Sequence, residues 1–274
     1  MTAKLSRPLL LVGCGKMGGA MLSGWCESGI ATAGVTIIEP MGAPAFEDKS
    51  GITVRSDAVE LPADFDPEIV VFAVKPQQMD AVVPAYARFV SGNTAFLSIA
   101  AGRTIGYFEE KLAGNAAIVR AMPNTPAAIG QGITVLCPNA ETSTLQAEIC
   151  RELLSAVGEA IVVDDEALID AVTALSGGGP AYVFLLIECL SEAGVQAGLP
   201  ADLSARLALS TVAGSGQLAL ASDEPPSKLR ENVTSPGGTT LEALKILMAK
   251  DGLQPLLTRA IAAATRRSRE LAGS

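Results

Sequence analysis

The residues best suited to chemistry lie in two short segments that are rich in glycine and hydroxyl groups. Gly13, Gly15 and Gly18 form a Gly-x-Gly-x-x-Gly turn directly after the apolar run 9–12. With a strand before it and a helix after it, such a turn lets the backbone approach a dinucleotide pyrophosphate; an ordinary strand–helix turn is the alternative. The second segment, residues 234–240, reads Thr-Ser-Pro-Gly-Gly-Thr-Thr, and its consecutive amides favour a small anion. A chain with both segments can bring a nicotinamide ring next to a small acid.

Glu39 ends the second predicted strand, 21 residues after Gly18. A carboxylate at this place accepts hydrogen bonds from the adenosine ribose and repels a 2′-phosphate. No lysine or arginine follows Glu39 before Lys49, so the sequence predicts good use of NADH. The alternative is that Glu39 points into solvent. Lys75, which closes a later strand, is expected at the same edge of the sheet, either near the cofactor or as a plain surface charge.

Composition limits the class of protein and its partners. The chain has 274 residues, of which 49% are apolar and 18% charged, which is typical of a globular protein with room for two domains. Its net charge of −9 opposes binding to phosphate backbones, so we expect no nucleic-acid partner. The longest apolar run beyond the N-terminal strand, residues 181–187, is too short to cross a bilayer, and no secretory peptide is recognised. We therefore expect no membrane partner.

Two residue types restrict the chemistry. The sequence has no histidine, which excludes a histidine base, nucleophile partner or metal ligand. Its five cysteines form no Cys-x-x-Cys pair and no spacing typical of metal ligands, so we expect no metal and reduced thiols in the cytoplasm. Any proton transfer must use a hydroxyl, a carboxyl, a lysine, a tyrosine, a water or the substrate itself.

Alternating apolar runs and helical stretches predict an α/β fold in the N-terminal part. The predicted strands are 9–12, 35–38, 69–73, 95–99, 117–121, 132–136 and 160–163, and the predicted helices are 17–28, 77–89, 104–112 and 142–156. Continuously apolar, β-branched strands are typical of a parallel, doubly wound sheet, which binds ligands at the carboxyl ends of its strands. We predict a Rossmann-like dinucleotide-binding domain over residues 1–163.

The rest of the chain, residues 164–274, is predicted to be an all-helical domain. Its helices are expected at 165–175, 180–197, 201–221, 239–250 and 253–271. Helix 180–197 is apolar around most of its circumference, so it requires burial on several sides. We expect a homodimer whose helical domains pack together; burial against the first domain of a monomer is the alternative.

Five motifs follow one another along nearly the whole chain. They are Val12-Gly13-Cys14-Gly15-Lys16-Met17-Gly18, Ala73-Val74-Lys75-Pro76, Arg120-Ala121-Met122-Pro123-Asn124-Thr125-Pro126, Ser176-Gly177-Gly178-Gly179-Pro180-Ala181-Tyr182 and Asn232-Val233-Thr234-Ser235-Pro236-Gly237-Gly238-Thr239-Thr240. In this order and spacing the chain resembles the pyrroline-5-carboxylate reductase family. The first motif is shared by many dehydrogenases, whereas the last two are specific.

The resemblance implies a Rossmann-like domain, a helical dimerisation domain and dimers that often assemble into decamers. It implies hydride transfer from NAD(P)H to the C=N bond of 1-pyrroline-5-carboxylate, giving L-proline. The expected substrate-binding residues are Ser235, Gly237, Gly238, Thr239 and Thr240, with Thr240 as the catalytic residue beside the ring nitrogen. Helix capping alone is the alternative role for the two threonines.

The expected cofactor-binding residues lie along both parts of the chain. They are Gly13, Gly15, Lys16, Met17, Gly18, Glu39, Ala73, Val74, Lys75, Pro76, Ala100, Ala101, Asn124 and Asn232. A purely structural loop is the alternative for the segment around Asn124. Two departures from the family matter: Gly178 stands where a serine is common, and Glu39 does not fit the NADPH preference of many members.

Two other functions are also compatible with a dinucleotide-binding turn. A β-hydroxyacid dehydrogenase also has a Gly-x-Gly-x-Met-Gly turn, but it requires a lysine on a later helix, and this chain has none between Lys111 and Lys228. A Rossmann-type sensor would bind a dinucleotide without chemistry and would not require an anion-binding loop.

Overall fold

A computed structural model of the protein describes residues 5–273, which divide into two compact units. The first unit extends to Gly177 and resumes at Ala264, and the second unit is Gly178–Ala263. Residues 1–4 and 274, the outermost residues of the predicted domains, lie outside the described part. The predicted domain boundary after residue 163 falls before the end of the first unit, and it stays a prediction.

The first unit is built on a sheet of eight strands. They are β1 (Leu9–Val12), β2 (Val35–Ile38), β3 (Ile52–Arg55), β4 (Ile69–Phe72), β5 (Ala95–Ser98), β6 (Ala117–Met122), β7 (Gly132–Pro138) and β8 (Gly158–Val162). Their order across the sheet is β3-β2-β1-β4-β5-β6-β7-β8. The chain order changes direction at β1, so a crevice forms at the carboxyl ends of β1 and β4, where such sheets bind ligands. The predicted α/β fold class is confirmed.

Two features of the sheet differ from the prediction. β7 runs antiparallel to β6, so the sheet is mostly rather than wholly parallel. Residues 123–131, which join these strands, contain only the short turn Thr125–Ile129, and a parallel pair would need a longer crossover. β3 was not predicted because it is an edge strand whose residues alternate between half-buried and exposed.

The helices of the first unit cover the sheet. They are α1 (Lys16–Ser28), α2 (Met79–Val82), α3 (Ile105–Leu112), α4 (Thr144–Ser155) and α5 (Leu168–Val172). α4 starts with a capping box, in which Ser143 N donates to Gln146 Oε1 at 2.9 Å and Gln146 N donates to Ser143 Oγ at 3.3 Å. α1 is fixed to α4 by Trp25, whose buried indole N–H donates to Leu153 O at 2.8 Å.

The predicted helix 77–89 is only partly α-helical. Tight 3₁₀ turns, Pro76–Gln78 and Val83–Phe89, flank the four residues of α2. Pro84 has no N–H to continue the α-helical hydrogen bonds, which explains the change of winding. This segment forms one wall of a cleft at the carboxyl ends of the strands.

The core lies on both faces of the sheet. Along β1, Leu9 and Leu11 pack into one hydrophobic cluster, and Leu10 and Val12 pack into the other. All four are buried, as expected for a central strand of a parallel sheet. Burial on both faces fixes the position of the glycine turn that follows β1.

A buried charge cluster joins three elements of the first unit. Arg120 on β6 is 2% exposed, and its Nη1 donates to Glu166 Oε1 at 2.7 Å. Asp170 on α5 lies 3.9 Å from Arg120 Nη2 and accepts a hydrogen bond from Ser268 Oγ at 2.6 Å. Ser268 belongs to the last helix of the chain, so the cluster attaches the end of the chain to β6 and α5.

The second unit is helical, as predicted. Its elements are α6 (Gly179–Gln196), α7 (Ala201–Ala221), α8 (Pro226–Asn232), α9 (Thr239–Leu247) and the first part of α10 (Leu253–Ala272). α8 was not predicted. Ser204 Oγ on α7 donates to Ser191 O on α6 at 2.6 Å, which holds the two helices together.

Large apolar side chains on α6 and α7 are exposed within this single chain. They are Val183, Phe184, Leu185, Leu186, Leu190, Val195, Leu203, Leu207, Leu209, Leu218 and Leu220. A patch of this size on a folded protein usually marks an interface.

One helical stretch contradicts the expectation that no segment is long enough to cross a bilayer. Residues Leu168–Gln196 form 29 consecutive helical residues that are apolar and long enough for this by composition alone. The predicted helices 165–175 and 180–197 leave a break at the glycine-rich segment, whereas the helix continues through it by a wide turn at Thr173–Gly177. Core helices of globular proteins meet the same criterion, so this is weak evidence for a membrane.

Candidate active site

A cleft of about 540 Å³ opens at the carboxyl ends of β1, β2 and β4. One side is formed by residues that follow these strands: Gly13, Gly15, Glu39, Pro40, Met41, Ala73, Val74 and Lys75. The other side is formed by the segment after β4, with Gln78, Ala81, Val82, Ala85 and Tyr86. The sheet topology thus gathers segments that are far apart in sequence around one cavity.

The three glycines of the turn have the geometry that a pyrophosphate-binding turn requires. Gly13 has a φ of 92°, and a Cβ there would lie 2.7 Å from Val74 Cγ1. A Cβ at Gly18 would lie 2.4 Å from the Gly13 carbonyl oxygen, so only glycine lets α1 pack this closely. At Gly15 a Cβ would meet nothing within 4 Å, which leaves the backbone open to a ligand.

Glu39 is turned toward the glycine turn rather than into solvent. Its Oε2 accepts a hydrogen bond from Cys14 N at 2.8 Å, and its Oε1 accepts one from Met41 N at 3.3 Å. Its backbone N–H donates to Arg55 O at 2.9 Å, which ties it to β3. The carboxylate is therefore held in the cleft with acceptor capacity that ribose hydroxyls can use.

Cys14 lies in the same turn but is unsuited to thiolate chemistry. Burial and, to a smaller extent, the negative charge of Glu39 raise the pKa of its thiol to about 11. The thiol is protonated at neutral pH, so Cys14 is neither a nucleophile nor a redox centre there.

Pro76, the residue after Lys75, is held by an arginine from the loop between β5 and α3. Pro76 O accepts hydrogen bonds from Arg103 Nε at 3.2 Å and from Arg103 Nη2 at 3.0 Å. Arg103 also forms an ion pair with Asp80 at 3.2 Å. These contacts of Arg103 thus fix the loop after β4, which includes the cleft residue Lys75.

The remaining predicted cofactor-binding residues of the first unit do not line the cleft. Lys16 is exposed at the start of α1, and Met17 is partly buried against the core. Ala100, Ala101 and Asn124 follow β5 and β6 but are not among the residues that line the cleft. Asn124 Oδ1 accepts from Ile133 N at 2.9 Å, which supports a structural role in the turn before β7.

Sequence reasoning missed the part of the cleft that depends on β3. Ser56, Asp57 and Ala58 follow this strand and line the cleft beside Glu39. The β-branched residues of 52–54 after Gly51 were the available signal, because alternation of this kind indicates a half-buried strand.

The predicted anion-binding loop lies at the start of α9 in the second unit. Gly238 N donates to Ser235 O at 3.0 Å, and Gly237 has a φ of 70° that favours glycine. Gly238 is the residue before the helix and has no side chain to cap it, so the first-turn amides stay available. Thr239 and Thr240 are exposed in that first turn.

Asn232 lies just before this loop. Its Nδ2 donates to Glu224 Oε2 at 2.8 Å, within the second unit. Asn232 and residues 235–240 belong to the second unit, whereas the cleft belongs to the first. Among residues 5–273 no group of three or more histidine, cysteine or acidic side chains could hold a metal ion.

Two parts of the chain match known protein families. Residues 9–102 match the family of NADP oxidoreductases described as coenzyme F420-dependent. Residues 166–271 match the pyrroline-5-carboxylate reductase dimerisation domain. These matches confirm a nicotinamide-dependent oxidoreductase domain and a homo-oligomer.

Relatives resemble the chain over nearly its whole length. A pyrroline-5-carboxylate reductase of Pseudomonas aeruginosa is 42% identical over 267 residues, covering 96% of both chains. The solved structure of such a reductase from Coxiella burnetii has a TM-score of 0.89 and 32% identity, covering 97% of this chain and 99% of that one. The Plasmodium falciparum pyrroline carboxylate reductase, solved with NADP bound, has a TM-score of 0.82 and 30% identity, covering 98% and 99%. The chain therefore belongs to the pyrroline-5-carboxylate reductase family.

Proposed function

We propose that the protein reduces 1-pyrroline-5-carboxylate to L-proline, the last step of proline biosynthesis. One observation carries the proposal: a single chain of this family holds a dinucleotide cleft at its sheet and an uncapped, hydroxyl-rich helix start in its helical unit. The first suits a hydride donor and the second suits a small carboxylate.

The residues of the cleft fit a nicotinamide dinucleotide, which when bound supplies the hydride. The open backbone at Gly15 and the first amides of α1 are suited to the pyrophosphate. Glu39 is suited to accept hydrogen bonds from the adenosine ribose hydroxyls. We infer that NADH is used well, because a 2′-phosphate would meet the Glu39 carboxylate.

The loop before α9 would hold the substrate carboxylate. The amides of Gly237 and Thr239 and the hydroxyl of Ser235 can donate to an anion without a positively charged side chain, and the hydrogen bond from Gly238 N to Ser235 O holds the loop in shape. Thr240, one residue further, would lie beside the ring nitrogen. Hydride transfer requires this loop and the nicotinamide to meet, within one chain or between two copies.

The nitrogen of the imine must also gain a proton. The chain has no histidine, so the proton comes from solvent, as a preformed iminium, or passes through Thr240. A threonine hydroxyl is a poor acid, which favours positioning of the ring by Thr240 over true general-acid catalysis. Alignment of the two rings would then supply most of the rate.

We propose that two copies associate through α6 and α7, and that such dimers can assemble further into decamers. A partner copy would cover the exposed apolar side chains of these helices, including the stretch long enough for a bilayer.

We also propose a soluble, cytoplasmic protein without membrane or nucleic-acid partners, as the net charge of −9 suggests.

The test is turnover of purified protein with 1-pyrroline-5-carboxylate and either NADH or NADPH, followed by nicotinamide absorbance and by direct detection of proline. We expect proline with both cofactors and a higher kcat/KM with NADH. Binding of NADH without proline formation would instead indicate a sensor and would contradict the proposal. A strong preference for NADPH would overturn only the argument from Glu39.

A further inference from the structure

A second recess, of about 340 Å³, lies beyond Glu39 at the edge of the sheet. Glu39, Pro40 and Ser56 line both this recess and the cofactor cleft, so the two cavities are neighbours. The recess exists because β3 pairs with β2 and sets Arg55 beside Ile38. If Glu39 binds the adenosine ribose, a group on the ribose 2′ oxygen meets this recess.

Two side chains in the recess are of the types that bind phosphate, namely the guanidinium of Arg55 and the hydroxyl of Ser56. Ser56 is already bonded to Glu60, and Glu60 and Arg55 line the same recess. Glu60 Oε1 accepts a hydrogen bond from Ser56 N at 3.2 Å and a shorter one from the Ser56 hydroxyl. The hydrogen bond from the Ser56 hydroxyl and, to a smaller extent, the nearby charge of Arg55 hold the pKa of Glu60 below its usual value.

The other acidic side chains that line the recess are Glu39 and Glu47, so the lining has three carboxylates and one guanidinium. A phosphate monoester brings about 1.5 to 2 further negative charges at neutral pH. The only hydroxyl proton of Ser56 is directed to Glu60, so this side chain has no donor left for a phosphate. The recess therefore has two groups of the types that bind a 2′-phosphate, but the Ser56 donor is in use and the net negative charge of the lining opposes a phosphate.

We propose that Glu60 is a second determinant of cofactor preference, acting with Glu39: it occupies the Ser56 hydroxyl and adds a negative charge to the recess in which the Arg55 guanidinium would otherwise bind a 2′-phosphate. The inference rests on the proposed function only in that the cleft must bind a nicotinamide dinucleotide. Glu39 acts directly on the ribose, whereas Glu60 acts through Ser56 and Arg55. Replacing Glu39 alone therefore leaves the recess unfavourable for NADPH.

The test uses the full chain without substrate and compares two probes, adenosine 5′-monophosphate and adenosine 2′,5′-bisphosphate, by calorimetry. The unaltered protein should bind the monophosphate more tightly. Glu60→Ala should tighten bisphosphate binding by about three- to tenfold relative to the monophosphate, the range of one charge-assisted contact. Glu60→Gln, which removes the charge but keeps a hydrogen-bonding side chain, should give a smaller gain. The ratio of kcat/KM for NADPH to that for NADH should rise in the same order.

Two further variants separate this mechanism from a general change in charge. Adding Arg55→Ala to Glu60→Ala should abolish the gain, because the Arg55 guanidinium is the group that binds the added phosphate. Glu27→Ala removes one exposed carboxylate from α1 and should leave the ratio of the two affinities unchanged.

Three results would overturn the inference. An unchanged ratio in both Glu60 variants, with monophosphate binding retained, would show that Glu60 has no role while leaving the proposed function intact. A gain that survives Arg55→Ala would show that loss of negative charge alone suffices. Failure of the unaltered protein to bind either probe would overturn both this inference and the dinucleotide cleft.

Discussion

At the scale of single residues, Glu39 has three roles in and around the glycine turn. It fixes the turn by accepting from Cys14 N, it faces the cleft, and its charge contributes to the raised pKa of the Cys14 thiol. The sequence indicated Glu39 because its place after β2 is set by local pattern. Arg55, Ser56 and Glu60 were not indicated, because their proximity to Glu39 depends on the pairing of β3 with β2.

Cys14 should react slowly with iodoacetamide at pH 8 and faster as the pH approaches 11, because only the thiolate reacts. Glu39→Gln should speed the reaction at pH 8, since loss of the neighbouring negative charge lowers the thiol pKa. Peptide mass spectrometry across a pH series measures both, with the exposed Cys26 as internal reference. Equal labelling of Cys14 and Cys26 at pH 8 would contradict this expectation.

Thr240→Ala should lower kcat by about ten- to a hundredfold, the scale of one lost hydrogen bond to a transition state. Steady-state kinetics with NADH and 1-pyrroline-5-carboxylate gives the measurement. Thr144→Ala is the matched control, because Thr144 is also an exposed threonine in the first turn of a helix, α4. An unchanged kcat/KM in Thr240→Ala would remove this residue from the mechanism.

At the scale of elements, the sequence predicted central strands well and edges poorly. β1 and β4 are continuously apolar because both faces are covered, and that pattern is visible locally. β3 is half-exposed, and the reversed direction of β7 depends on a short connection rather than on strand composition. Because β3 was missed, the residues that follow it in the cleft, Ser56, Asp57 and Ala58, were missed as well.

Arg120→Met should destabilise the first unit by about 3 kcal/mol, because it leaves the carboxylates of Glu166 and Asp170 without their buried partner. Nε and Nη2 of Arg120 have no hydrogen-bond partner among residues 5–273, so the ion pair with Glu166 is the main compensation for burial. The measurement is the shift in Tm at fixed protein concentration.

Arg151→Met is the control for that prediction. Arg151 pairs with Glu148 on the surface of α4, where such a pair contributes less than about 1 kcal/mol. Equal Tm shifts in the two variants would show that the buried ion pair of Arg120 stabilises the protein no more than a surface ion pair does.

At the scale of the whole molecule, the composition of the helices predicted association but not its details. A helix that is apolar around its circumference requires a partner, and α6 and α7 do expose large apolar side chains. The sequence could not indicate that the end of α10 joins the first unit, since this depends on contacts such as Ser268 with Asp170.

Leu207→Glu should weaken self-association by at least about a hundredfold, because a charge placed in an apolar interface costs several kcal/mol. Leu207 lies on α7 and is 48% exposed in the single chain. Light scattering over a dilution series measures the mass. Leu145→Glu places the same charge on an exposed leucine of α4 and should leave the mass unchanged. An unaltered dimer in Leu207→Glu would exclude this part of α7 from the interface.

Because α10 begins in the second unit and ends in the first, the first unit cannot be expressed completely as one continuous segment of the chain. A fragment ending at Gly177 would lack Ser268, the partner of Asp170, and Leu271, which packs on Gly102. An autonomous nucleotide-binding fragment must therefore be assembled from two stretches of the gene. A circular permutant in which codons 264–273 are fused ahead of codon 5 would restore those partners within one short polypeptide.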